Sequence, residues 1–165
     1  MIRPLTISII SLAMLAVLPS AAQAQTNIPT LVPMPGRLVC GSGSGQVGNA
    51  PAKFELCLQQ SAGMGRDTYF FNINGKPAVQ ALDDDSIKGV SGTYEKTRVM
   101  LICTPQTRPP KQISDIMVRT YQRTMKVSED EARKMVIKQE SIEVARRCSA
   151  RVSDKIALEV IFKLQ

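Results

Sequence analysis

The chain contains no histidine and no tryptophan, and its aromatic residues are limited to three tyrosines and four phenylalanines. Without histidine the commonest general base is missing, and with it every Ser-His and Cys-His nucleophilic pair. No C-x-x-C pair occurs either, so the usual tetrahedral zinc ligand sets cannot be assembled. The motifs S-x-x-K and G-x-S-x-G are also absent. These gaps argue against an enzyme, and no cofactor or metal is expected. The shortage of aromatic rings argues against nucleic acid as a partner, because readout of single strands relies on base stacking. No stretch after residue 25 is long and apolar enough to span a bilayer as a helix.

The first residues, MIRPLTISIISLAMLAVLPSAAQAQ, have a different character from the rest. Arg3 precedes an apolar run from Ile7 to Leu18, Pro19 and Ser20 break it, and Ala22-Gln23-Ala24 supplies small residues at the −3 and −1 positions. This layout predicts a secretory signal over residues 1–24, cleaved after Ala24, and hence a periplasmic or secreted protein of the bacterial envelope. No cysteine stands at the cleavage point, so no lipid anchor is expected. The remaining 141 residues carry a net charge near +6, because Arg3 is the only charge removed from an overall +7. That balance favours anionic partners such as peptidoglycan, lipopolysaccharide, a membrane surface or an acidic protein, and equally serves solubility.

Four cysteines, Cys40, Cys57, Cys103 and Cys148, all follow the signal. In an exported chain an even number reads as disulfides. Of the three pairings, Cys40–Cys57 with Cys103–Cys148 is favoured; Cys57–Cys103 with Cys40–Cys148 is the main rival. In the favoured scheme the second bridge ties a strand region to a helical one.

Residues 25–36 carry Pro29, Pro33 and Pro35 and no charge, which predicts an extended N-terminal arm. A single domain over residues 37–165 follows. Its first part is strand-like. Phe54, Leu56 and Leu58 alternate with Lys53, Glu55 and Cys57, a period of two. Asn74-Gly75 signals a tight hairpin, and Pro77 assigns the return limb to a sheet edge. ALDDDSIKGVSG reads as a loop, and Val99 to Cys103 as a strand buried on both faces.

The period then lengthens. A helix is expected from Pro109-Pro110 to about Val127, with Ile113, Ile116, Met117 and Tyr121 inward. Ser128 to Glu131 matches a capping box that opens a second helix. That helix is expected to bury Ala132, Met135, Val136, Ile142, Ala145 and Cys148. From Lys155 onward, Ile156, Leu158, Val160, Phe162 and Leu164 alternate as a final strand. The expected fold is α+β: a small antiparallel sheet with a two-helix hairpin layered on it, closed by the C-terminal strand and stapled by two disulfides.

Three stretches invite functional readings. CGSGSGQVGNAP has the spacing G-x-G-x-x-G at Gly43, Gly45 and Gly48, but a strand pattern follows where a dinucleotide site needs a helix. It is read as a flexible connector. Asp83-Asp84-Asp85 lacks the alternating ligands of a calcium loop and is read as solvated. Arg119, Arg123 and Lys126 on the first helix, with Lys134 and Lys138 on the second, form a candidate binding surface, extended by Arg146, Arg147 and Arg151. The macrodipole offers a plainer account, with Glu129 to Glu131 at the second helix's positive end and Arg146-Arg147 at its negative end. Tyr69, Phe71 and Asn74 make a second candidate surface at the hairpin. The leading expectation is an exported, non-enzymatic binding protein, an accessory, inhibitor or immunity-type partner of an envelope, secretion or conjugation component. The alternatives are an exported toxin or hydrolase using carboxylates or a Ser-Lys pair, and a basic effector acting at membranes.

Overall fold

The computed structural model describes residues 27–164; the expected signal and its cleavage site lie outside them. Two sheets pack face to face. The first is an antiparallel meander of β2 (Leu38–Val47), β3 (Ala50–Gln59), β4 (Thr68–Ile73) and β5 (Lys76–Leu82). The short helix α1 (Asp83–Lys88) crosses to a second meander of β6 (Val90–Tyr94), β7 (Thr97–Arg108), β8 (Ile142–Val152) and β9 (Lys155–Lys163). β1 (Thr30–Leu31), from the proline-rich segment, joins this second sheet in parallel alongside Ile161 and Phe162 of β9. Helices α2 (Asp115–Met125) and α3 (Glu129–Glu140) are inserted between β7 and β8.

The class is therefore mixed α+β, built mostly of strands, with two sheets where one was expected. The core lies between them. Phe54, Leu56, Leu58, Tyr69, Phe71 and Ile73 from the first sheet meet Val99, Leu101, Val160 and Phe162 from the second, all buried. Alternation along β3 and β9 places these side chains inward, as period two requires. Val99, Leu101 and Cys103 are buried but Met100 and Ile102 only partly so. β7 is thus covered on one face, not both.

Both disulfides join residues directly opposite each other on neighbouring strands, Cys40 to Cys57 on β2–β3 and Cys103 to Cys148 on β7–β8. The favoured pairing holds. The second bridge, however, links strand to strand inside the core.

The Asn74-Gly75 turn forms as expected, with positive φ at both residues. β5, with Pro77, is a sheet edge. The glycine stretch is not a connector. It is strand β2, in continuous register with β3 over ten residue pairs. Gly41 and Gly43 turn inward against the other sheet: a Cβ on Gly41 would lie 2.6 Å from Val160 Cγ2, and one on Gly43 3.1 Å from Leu158 Cδ1. The alternating glycines let β2 approach β9 closely. Gly41→Val is accordingly expected to cost about 1–3 kcal/mol of stability by overpacking a stiff, buried neighbour, read as a lower urea midpoint with both disulfides intact.

The largest departure concerns the segment after α3. Residues 142–152 continue as strand, not helix; Ile142 is exposed, and Arg146 and Arg147 sit on β8 instead of at a helix end. The inward positions Arg146, Cys148, Ala150 and Val152 do alternate. A buried arginine among them disguises the period, while Ala, Arg and Glu carry high helix propensity. Pairing with β7 and β9 on both sides overrides that propensity.

The other corrections are local. Asp83-Asp84-Asp85 form the first turn of α1, where the positive end of the peptide dipoles suits carboxylates. α2 begins at Asp115 and not at Pro109, because Ser114 caps it by accepting a hydrogen bond from the Met117 amide. It ends at Met125, with Lys126 in the left-handed conformation.

Candidate functional site

The helical hairpin is not a layer over the sheet. Among the described residues, α2 and α3 find their only substantial packing partner in each other, around a small core of Val118, Ala132 and Val136 lined by Ile113, Met117, Tyr121 and Val127. Tyr121 donates a hydrogen bond to the Gln139 side chain across the pair. At the turn between the helices the capping box forms in full. Ser128 Oγ accepts from the Glu131 amide at 3.3 Å, and Glu131 Oε2 accepts from the Ser128 amide at 3.0 Å. The hydrogen bonds that Glu131 Oε2 accepts from the Ser128 amide and, at 2.9 Å, from the Ser128 hydroxyl hold the Glu131 carboxyl below its ordinary value of 4.5. The hairpin is a self-contained projection from the β7–β8 pair.

All five cations expected on it are exposed: Arg119, Arg123 and Lys126 from the first helix, Lys134 and Lys138 from the second. None forms an ion pair among the described residues; the one bridge within the hairpin is Arg133 to Glu129 at 3.3 Å. They do not form one face. Arg119 flanks the helix–helix seam beside Gln122 and Arg133, whereas Lys134 and Lys138 stand roughly half a turn away from the buried Val136, on the back of α3. Ile116 is 80% exposed on the same projection, and Met125 is 55% exposed.

The second expected surface does not exist. Tyr69 and Phe71 are fully buried, Tyr69 edge-on to Phe162 and Phe71 tilted against Phe54. β4 is an interior strand of its sheet, so the alternate side chains that an exposed hairpin would display are taken up by the core. Asn74 is exposed but occupied. Its carbonyl accepts from the Lys53 amide at 2.8 Å and its amide donates to the Tyr94 hydroxyl at 3.4 Å.

A cluster that sequence reasoning missed sits where α1 meets β8. Arg146, 4% exposed, donates to Glu143 from Nε at 2.5 Å and Nη2 at 2.6 Å, and pairs through Nη1 with Asp83. Its guanidinium lies 5.7 Å from the centre of the Tyr69 ring. Residues three apart in a regular strand face opposite ways; a register shift in the β7–β8 ladder brings Glu143 round to Arg146. Burial raises the Asp83 carboxyl above its ordinary value, with the Arg146 charge opposing. Burial likewise raises the Tyr69 phenol, whose hydroxyl has no hydrogen-bond partner among the described residues. Burial alone would make Arg146 easier to deprotonate, but the Glu143 hydrogen bond and nearby negative charge more than offset it. The cluster joins the two sheets. No signal in the one-dimensional pattern announces it, because Asp83 and Arg146 are 63 residues apart.

Arg147 pairs with Glu159 at 2.9 Å on the outer face of the second sheet, and Arg151 is half-buried there. Neither extends the hairpin's charge. Comparison of the chain with protein-family models, with curated proteins and with solved structures found no match to any of them.

Proposed function

We propose that this is an exported, non-enzymatic binding protein that engages an anionic partner of the bacterial envelope through the α2–α3 hairpin. The observation carrying this reading is the hairpin itself: a projection with its own small core, contributing nothing to the main core, and bearing five exposed cations without ion-pair partners among the described residues. Among the described residues its side chains pack in a cluster of their own, apart from the main core, which leaves its exposed charges open to a partner. Two disulfides suit an oxidising compartment. The lack of histidine and of catalytic motifs supports a binding role over an exported toxin or hydrolase. An accessory, inhibitory or immunity-type role toward an envelope, secretion or conjugation component fits these features.

Reversing Arg119 and Arg123 to glutamate tests the reading. Both are exposed, so the helices are expected to persist by circular dichroism. Capture of a partner from envelope extracts of the host at moderate salt is expected to fall at least about tenfold, as buried or steered charge contacts do when reversed. Equal capture by both proteins, or none by the native one, overturns the proposal.

A further inference from the structure

We propose that strand β2 pairs edge to edge with β2 of a second copy of this chain, forming a twofold dimer centred on Gly43. β2 ends its sheet, so half of its backbone N–H and C=O groups point outward. No described residue hydrogen-bonds to them. Free strand edges are normally guarded by charge, proline, bulges or brevity. The other exposed edges of this molecule all carry such guards. β1 has two residues and lies between Pro29 and Pro33; β5 carries Lys76, Pro77 and a register shift against β4; β6 has five residues. The part of β9 left uncovered by β1 carries Lys155 and Glu159. β2 alone is long, in unbroken register and without a single charge or proline over Leu38–Val47.

The sequence of the strand selects the occupant. Residues 39–47 read V-C-G-S-G-S-G-Q-V, which is the same in both directions except at Cys40 and Gln46. Antiparallel pairing of two copies about Gly43 therefore sets Val39 against Val47, Gly41 against Gly45, and Ser42 against Ser44. Residues an even number apart share a face. The inward set of one copy thus meets the inward set of the other, and the exposed Ser42 and Ser44 meet on the outer face. The contact is isologous, as a closed twofold dimer requires. It would fuse two four-stranded sheets into one of eight strands.

With side chains this small the contact buries little area, so half-dimerisation is expected on the order of 0.1 mM. The test is sedimentation equilibrium of the purified oxidised protein up to about 1 mM, with two double variants of the outer face. Ser42→Lys with Ser44→Lys opposes like charges twice across the axis and is expected to weaken the dimer about tenfold. Ser42→Lys with Ser44→Glu sets opposite charges across the same axis and is expected to tighten it by a similar factor. Within the chain the second pair faces Glu55 and Lys53 in favourable combinations, so folding is preserved. A native protein that stays monomeric throughout, or a dimer indifferent to both variants, overturns the proposal.

Discussion

Replacing Cys103 and Cys148 with alanine lowers the stability of this protein by about 4 kcal/mol, the loop-entropy value for a bridge of its span. The bridge separates residues 45 apart in sequence, and that interval contains the whole helical hairpin. Without it, the unfolded chain regains the freedom of a long loop that the native state must close. Both cysteines are fully buried in the main core, so the substitution also removes packed sulfur from between the sheets. The Cys40–Cys57 bridge spans 17 residues and closes a tight hairpin, with Cys40 on the exposed side of β2. Its loss is expected to cost about 3 kcal/mol on the same basis. Calorimetry checks the order: for a domain of this size about 4 kcal/mol corresponds to a fall in Tm on the order of 12–15 °C. A smaller fall for the Cys103/Cys148 variant than for the Cys40/Cys57 variant contradicts the argument.

Arg146→Ala is expected to destabilise by about 3 kcal/mol, toward the low end for breaking a buried ion pair because Asp83 and Glu143 keep some contact with solvent. The cost arises less from the lost attraction than from two carboxylates left without a cation at the junction of the sheets. That distinction is testable. Arg146→Met combined with Glu143→Gln removes one of the stranded charges, and should recover at least about 1 kcal/mol relative to Arg146→Ala. The pH dependence has a defined sign. A carboxyl whose folded value is raised, as at Asp83, favours the folded state below its unfolded value of 3.8 and loses that contribution as pH rises through the folded value. Removing the arginine raises it further. The gap between variant and native protein should therefore be wider at about pH 7 than at about pH 4, measured by urea unfolding at each.

The strand periods of β3 and β9, the turn at Asn74-Gly75, the edge position of Pro77 and the capping box at Ser128 were all legible in the sequence. Each rests on a rule that acts within a few residues: alternation of side chains, positive φ at a turn, a missing amide, a serine reaching its own helix. The disulfide pairing followed in part, because Cys40 and Cys57 flank one hairpin. What sequence could not supply were features that depend on a neighbour far along the chain. β8 looked helical because its inward period is interrupted by Arg146. That residue is tolerable in a core only beside Asp83 and Glu143, and only after a register shift has turned Glu143 toward it.

The same holds for the candidate sites. The five hairpin cations were identifiable by helical spacing, but their division between the flank of α2 and the back of α3 is a matter of how the helices pack. Tyr69 and Phe71 looked available beside a turn, yet β4 is an interior strand and the core claims them. The glycines of β2 read locally as flexibility. Opposite Val160 and Leu158 they become closeness, a property no residue has alone. By itself the sequence determined the strand periods of β3 and β9, the Asn74-Gly75 turn, the cap at Ser128 and an even set of cysteines. The tertiary structure decided which strands are neighbours, because backbone pairing and close packing between distant segments outweigh local propensities of a fraction of a kcal/mol per residue.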